Sequence, residues 1–86
     1  MSYTISIRKQ ALKELEHLSK RENQQIIKAI DELAENPRPH GCKKLKGEME
    51  YMWRIRVGNY RVLYQIDDGL RIVEIRKIGH RKDIYE

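Results

Sequence analysis

The segment from Met52 to Tyr64, with the sequence MWRIRVGNYRVLY, predicts a β-hairpin. Gly58-Asn59 suits a two-residue type II′ turn, which takes glycine at its first central position. Because side chains alternate between the two faces of a strand, one face of this hairpin is then wholly apolar. The residues on that face are Val57, Tyr60, Ile55, Val62, Trp53 and Tyr64. The hairpin therefore has a face to bury, and the rest of the chain must cover it.

The opposite face of the hairpin collects arginines. The two-residue turn sets Arg56 across from Arg61, with Arg54 on the same face. Asp68-Gly69 is a second hairpin signal, and pairing outward from it sets Arg61 against Arg76 on the next strand. Like charges directly opposite each other destabilise a sheet, so such a row favours a bound anion. The alternative is that the arginines extend into water or pair with the carboxylates of Glu74, Glu50 and Asp67.

The chain before the hairpin predicts one strand and two amphipathic helices. Residues 3–7 alternate apolar and polar side chains, as a half-buried strand does. Residues 11–18 and 26–34 then carry apolar side chains at helical spacing. Ser19 to Glu22 matches a capping box, so the second helix begins just after Ser19 and ends near Asn36, before a proline.

These elements predict an α+β fold with the order β-α-α-β-β-β. Two N-terminal helices pack on one face of a mostly antiparallel four-stranded sheet, and the other face stays open. The segment from Pro37 to Gly47 is predicted to be a loop, and residues 79–86 a polar tail. Residues 1–86 form a single domain in this interpretation.

Charge is the most informative part of the composition. The 86 residues include 18 lysines and arginines against 13 acidic residues, which gives a net charge of +5. A basic excess in a small domain favours a polyanion or an acidic protein as partner. The chain has no apolar run of membrane-spanning length and no signal peptide, and its one cysteine, Cys42, fits a reducing compartment. We therefore expect a soluble, cytoplasmic protein without membrane contact.

Metal, thiol and nucleotide chemistry have little support in the sequence. His40 and Cys42 stand close together, but structural zinc takes four ligands and no second pair lies at a suitable spacing. Catalysis by the Cys42 thiol would need a histidine held beside it and an oxyanion site, and nothing else in the sequence supports such a site. The five glycines are scattered, so they form no phosphate-binding loop. We expect no metal and no cofactor.

RNA cleavage makes different demands on a protein, because the ribose 2′-hydroxyl supplies the nucleophile. The protein must hold the backbone in line, stabilise charge on the phosphate and move protons. Arginine suits the second task, since its planar guanidinium stays charged and bonds two phosphate oxygens at once. Arg61 and Arg76 on the open face, followed by His80, Arg81 and Tyr85, would provide such a set. An imidazole such as that of His80 can act as a general acid or base and Tyr85 can stack on a base, but both residues are equally compatible with packing or surface positions.

Three segments between Leu45 and Tyr85 carry a family resemblance. They read LKG, WRIRVGNYRVLYQI and VEIRKIGHRKDIY. With the leading strand and helix pair, this pattern resembles the RelE/ParE superfamily of bacterial and archaeal toxin–antitoxin toxins, and its RelE branch most. The resemblance implies the RelE-like microbial ribonuclease fold and a metal-independent, ribosome-dependent mRNA interferase, which cleaves mRNA in the A site by 2′-hydroxyl attack and inhibits translation. It also implies three partners: a RelB-like antitoxin, the ribosome and mRNA.

The resemblance further implies roles for individual residues. Arg61 corresponds to the phosphate-stabilising arginine, Arg81 to the arginine that assists the leaving oxygen, and Tyr85 to the tyrosine that orients the nucleophile and stacks on a base. His80 stands where some RelE toxins have lysine, which leaves an acid–base role open for it. The substrate-binding set is basic and consists of Lys43, Lys44, Lys46, Arg54, Arg56 and Arg76.

Two other functions remain open at this point. A ParE-like toxin, which inhibits DNA gyrase without nuclease activity, would share the fold and the hairpin. A non-catalytic RNA-binding module would keep the basic face and bind in a salt-sensitive way, but it would cut nothing. Arg61, Arg81 and Tyr85 occurring together, with the ending GHRKDIY, favour the RelE branch.

Overall fold

Five strands and two helices make up the computed structural model, which describes residues 2–49 and 51–80. The strands are β1 (Thr4–Ile7), β2 (Lys43–Lys44), β3 (Trp53–Val57), β4 (Tyr60–Asp67) and β5 (Ile72–His80). The helices are α1 (Lys9–Glu16) and α2 (Lys20–Leu33), and a short 3-10 turn covers Gly47–Met49.

The strands form one sheet in the order β1-β5-β4-β3-β2. β1 runs parallel to β5, and every other neighbouring pair is antiparallel. The predicted fold class, two helices on a mostly antiparallel sheet, is confirmed. The predicted number of four strands was one too low, because Lys43 and Lys44 pair with β3 inside the segment that its prolines and glycine marked as a loop.

The second helix begins with the capping box that its sequence predicts. The hydroxyl of Ser19 accepts a hydrogen bond from the Glu22 N–H at 3.2 Å, and the Glu22 carboxylate accepts one from the Ser19 N–H at 3.4 Å. Two backbone donors of the first turn are thereby satisfied. The helix ends at Leu33, three residues before Asn36. The Ala34 and Glu35 N–H groups bond carbonyls three residues back, which tightens the last turn.

The apolar face of the hairpin is buried against the two helices, as predicted. Val62 and Tyr64 are fully buried there, and Ile55 is 8% exposed. They pack with the helical side chains of Ala11, Leu15, Ile26, Ile30 and Leu33 in one core. The Tyr64 hydroxyl donates to the Pro37 carbonyl at 2.8 Å, which ties the segment after α2 to the middle of the sheet. Burial raises the pKa of this phenol.

The opposite face of the sheet is not wholly open, which corrects the prediction. Leu45, Met52 and Leu63 form a second, smaller apolar cluster on that side. Leu45 and Met52 continue the pairing of β2 with β3 through the Leu45 N–H and the Met52 carbonyl, so this end of the sheet is apolar on the side away from the helices. Arg54, which pairs with Leu63 of this cluster, is only 2% exposed.

The predicted pairing of Arg61 with Arg76 was wrong, for two reasons. The loop between β4 and β5 has four residues rather than two, since Asp67 pairs with Ile72. A β-bulge then follows in β5: Tyr64 pairs with Ile75 but Leu63 pairs with Lys77, so Arg76 is an extra residue. As a result Arg61 lies across from Gly79.

The bulge exchanges the faces of the last residues of β5. Val62 pairs with Ile78 and Tyr60 with His80, so Ile78 and His80 lie on the helix-covered face. Lys77 and Gly79 lie on the other face, with Arg61. His80 and Gly79 thus belong to a strand, not to the predicted polar tail.

Candidate functional site

Two arginines oppose each other on the face of the sheet away from the helices. Arg56 of β3 and Arg61 of β4 are direct cross-strand partners, as predicted. The turn between them is the predicted one, with a positive φ of 59° at Gly58 and none at Asn59. Arg56 is exposed, whereas Arg61 is half-buried and its Nε atom is buried.

The backbone geometry brings the two arginine side chains close together. The Leu45 N–H donates to the Met52 carbonyl at 2.9 Å, so the backbone groups of Met52 point towards β2. Backbone N–H and C=O groups alternate in direction along a strand, so those of Arg56 also point towards β2. Arg56 and Arg61 therefore share no backbone hydrogen bond. In such pairs the Cα atoms are about 4.5 Å apart and the side chains are at their closest. Two positive charges held in this way favour an anion beside them.

Further cations extend this site towards β2. Arg54 lies on the same face, and Lys43, which pairs with it, shares that face. A cavity of about 190 Å³ lies at this edge of the sheet, lined by Lys43, Lys44, Leu45, Lys46 and Arg54. Lys44 pairs with Trp53, so its side chain leaves the backbone on the opposite face. Lys44 is nevertheless an exposed residue of an edge strand, and it borders the same cavity.

The segment that leads into these lysines is anchored by a polar cluster. The Arg38 guanidinium makes two hydrogen bonds to the Asp68 carboxylate, at 2.8 and 3.2 Å, and lies 5.0 Å from the centre of the Trp53 ring. The Tyr3 hydroxyl donates to the same carboxylate at 2.6 Å. These bonds from Arg38 and Tyr3 lower the pKa of Asp68 to about 2. The cluster ties the first strand, the β4–β5 loop and the start of the basic segment together.

Two residues predicted for the site lie away from Arg61. The Arg76 guanidinium bonds Gln65 and, at 3.1 Å, Glu74, whose carboxylate also lies 3.4 Å from Arg8. Arg76 thus takes part in an ion-pair cluster near β1, not in a row with Arg56. The His80 ring lies on the helix side, 5.6 Å from the Tyr60 ring at an interplanar angle of 74°. Arg81 and Tyr85 fall outside the described residues.

Lys77 and Gly79 were missed as neighbours of Arg61. Both lie on its face of the sheet because of the bulge. A signal was present in the sequence: apolar residues alternate at Val73 and Ile75, but the next one is Ile78, three positions on. An inserted residue in a strand interrupts the alternation of apolar and polar side chains in this way.

The described residues contain no group of three or more side chains of histidine, cysteine, aspartate or glutamate that could hold a metal ion. In the same part of the chain, no helix combines the length and the apolar character that crossing a membrane requires. The charged side chains of the site in the described residues are those of arginine and lysine.

The family model for the ParE toxin of the type II toxin–antitoxin system, parDE, matches residues 5–85. This chain belongs to the RelE/ParE superfamily of type II toxins. The putative toxin RelE1 of Methanocaldococcus jannaschii is similar to this toxin, with 35% identity over 89 residues that cover 100% of this chain and 98% of that protein. The mRNA interferase toxin RelE of Escherichia coli is 31% identical over 83 residues, covering 95% of this chain and 86% of that protein.

A solved structure extends the similarity of this RelE/ParE toxin to three dimensions. The archaeal RelE–RelB complex from Pyrococcus horikoshii contains a chain that superimposes with a TM-score of 0.83 at 30% identity. The match covers 98% of this chain and 100% of that one. The helix pair and the sheet of this chain are therefore arranged as in a superfamily toxin.

Proposed function

We propose that this toxin is a RelE-like mRNA interferase, which cleaves mRNA in the ribosomal A site by attack of the 2′-hydroxyl on the adjacent phosphate. The observation that carries the proposal is the Arg56–Arg61 pair on the face away from the helices. Two opposed guanidinium groups suit the negative charge that develops on a phosphate during attack. A similar protein, the RelE toxin of Escherichia coli, bears the name mRNA interferase.

In this mechanism Arg61 stabilises the charge on the scissile phosphate. Its half-buried position limits the motion of the side chain, so the donor is already oriented when charge develops. Removing one such preorganised donor costs about 2.7–4 kcal/mol of transition-state stabilisation. Arg56 contacts a neighbouring phosphate, the almost fully buried Arg54 adds positive charge beside it, and the lysines Lys43, Lys44 and Lys46 bind the RNA backbone.

Proton transfer and alignment of the nucleophile are assigned to Arg81 and Tyr85. Arg81 assists the leaving oxygen, and Tyr85 orients the 2′-hydroxyl and stacks on a base. We assign no proton transfer to His80, whose ring packs on Tyr60 across the sheet from Arg61. The reaction needs no metal, because the guanidinium groups supply the positive charge.

The antitoxin is proposed to be a RelB-like protein that is acidic where it contacts the toxin. The structural relative from Pyrococcus horikoshii forms a complex with RelB. A net charge of +5 gives this toxin a basic surface for such a partner. The ribosome and mRNA, both polyanions, would compete for the same basic face.

Inhibition of DNA gyrase is the second candidate function. It is favoured by the description of the matching family model, the ParE toxin of parDE. A ParE-like toxin would use the same fold without cutting RNA. The basic face alone does not separate the two activities, so the experiment must measure both.

The test is primer extension on a defined mRNA in a reconstituted translation system, with and without ribosomes. We expect wild type to cut at A-site codons only when ribosomes are present. Arg61→Ala should reduce the rate by about 10²–10³-fold, while Arg61→Ala and wild type keep the same circular dichroism spectrum. Lys28→Ala, on the exposed surface of α2, is the matched control and should cleave at the wild-type rate. Gyrase-dependent DNA breaks without any RNA cuts would instead establish the ParE activity.

A further inference from the structure

A glycine lies directly beside the phosphate-binding arginine on the sheet. Gly79 of β5 is the cross-strand partner of Arg61, on the face away from the helices. On its other side Arg61 is flanked by Arg56. Arg61 thus lies directly opposite an arginine on one neighbouring strand and directly opposite a residue without a side chain on the other, with Lys77 diagonal to it on the same face.

The bulge at Arg76 is what brings a glycine to this position. Continuing the register of Tyr64 with Ile75 without an inserted residue would set Ile78 against Arg61. The bulge sets Gly79 there instead and turns Ile78 into the core, where it is 1% exposed. Bulges are frequent next to active sites because they change the direction in which a side chain points.

Contacts on both sides of the bulge hold this register in place. The Arg76 guanidinium bonds Gln65 and Glu74, which are themselves cross-strand partners on β4 and β5. Beyond the bulge, the Ile78 N–H donates to the Glu14 carboxylate of α1 at 2.8 Å. The end of β5 is therefore anchored before and after the inserted residue.

Glycine weakens a strand, because it loses the most chain entropy on folding and has no side chain to pack. A glycine inside a strand often marks a place where a ligand or a backbone comes close. We propose that Gly79 is a positioning residue, which keeps open the space beside the Arg61 guanidinium where the scissile phosphate of the RNA substrate lies. This inference rests on the proposed function and names the residue that shapes its phosphate site.

The test compares Gly79→Val with wild type, with Gly69→Ala as the control. Valine favours a strand, so Gly79→Val should keep or raise the melting temperature while its side chain fills the space beside Arg61. We expect kcat of ribosome-dependent cleavage to fall at least tenfold, with a smaller change in KM. Gly69 lies in the β4–β5 loop, where an added Cβ would meet only the Asp67 carboxylate at 3.4 Å, and Gly69→Ala should cleave as wild type does.

A double-mutant cycle separates this role from a general loss of structure. In an Arg61→Ala background, Gly79→Val should change the rate less than twofold, because the group it blocks is already gone. Equal losses in both backgrounds, or full activity of a folded Gly79→Val protein, would overturn the inference while leaving the proposed cleavage intact.

A second readout does not depend on cleavage. Titration with a 2′-O-methyl RNA oligonucleotide, which lacks the attacking hydroxyl, should shift the NMR signal of the Arg61 Nε–H group in wild type and in Gly69→Ala. The shift should be at least tenfold weaker at equal oligonucleotide concentration in Gly79→Val. An undiminished shift in Gly79→Val would refute the role of Gly79, whether or not the wild-type toxin cleaves mRNA.

Discussion

Replacing Arg56 by glutamine should stabilise the free toxin and weaken its contact with RNA. Arg56 lies directly opposite Arg61, and both are cations at neutral pH. Like charges in this position oppose pairing of the strands by about 0.2–1 kcal/mol. Since Arg56 is exposed, the substitution leaves no cavity and no buried polar group behind. We therefore expect Arg56→Gln to increase the free energy of unfolding by about the same 0.2–1 kcal/mol.

The expected gain can be measured as a melting temperature. For a domain of 86 residues, 1 kcal/mol corresponds to roughly 4–8 °C, so the rise should be about 1–8 °C. The gain should appear at about 0.01 M salt and shrink at about 1 M, where the Debye length falls from about 30 Å to 3 Å. Adding a 2′-O-methyl RNA oligonucleotide should give wild type the higher melting temperature of the two proteins. Wild type binds the RNA more tightly, and a ligand that binds the folded state raises the melting temperature more when it binds more tightly.

Two controls make this reasoning refutable. Arg56→Lys keeps the charge and should show no gain, whereas Lys28→Gln makes the same change in net charge on the surface of α2 and should also show none. An equal gain in Lys28→Gln would mean that global charge, not the cross-strand pair, is responsible. A melting temperature of Arg56→Gln at or below that of wild type in low salt would refute the argument that the pair is repulsive.

Two further predictions concern stability. Tyr64→Phe removes the donor to the buried Pro37 carbonyl and should lower the free energy of unfolding by about 1–3 kcal/mol in urea denaturation; a loss below about 0.3 kcal/mol would mean that water replaces the hydroxyl. Asp68 has a pKa lowered to about 2 because Arg38 and Tyr3 bond its carboxylate, so its contribution is present above the ordinary aspartate pKa of about 3.9 and is lost as the pH falls towards 2. Between pH 6 and pH 2 the melting temperature should fall more steeply for wild type than for Asp68→Asn. Equal slopes for the two proteins would count against this role of Asp68.

The parts of the fold that the sequence predicted correctly depend on short-range signals. The capping box at Ser19 and the register of the hairpin around Gly58-Asn59 both arise from residues a few positions apart. Because the hairpin has a two-residue turn, its register follows from the turn alone. The opposed pair of Arg56 and Arg61 was predictable for the same reason.

The pairing of β4 with β5 depends on longer-range effects, and there the prediction was wrong. Asp68-Gly69 suggested a two-residue turn, but the Asp67 carboxylate accepts a hydrogen bond from the Leu70 N–H at 2.9 Å and stabilises a longer loop. The inserted Arg76 then shifts the register once more. The apolar cluster of Leu45, Met52 and Leu63 was also missed, because Leu45 and Met52 come together only once β2 pairs with β3.

The two features of the sheet that disfavour folding occur together. The like-charged pair of Arg56 and Arg61 opposes strand pairing, and Gly79 beside it weakens β5. A sequence selected only for stability would place an acidic or polar residue opposite Arg61 and a β-branched residue at position 79. Local rules are broken in this way mainly at functional sites, where other contacts compensate. Here the compensation comes from the helix-covered core on the reverse of the same strands, where Val62 and Ile78 are almost completely buried. The stability of one face of the sheet thus allows the other face to hold a like-charged pair and a strand glycine, which by themselves disfavour folding.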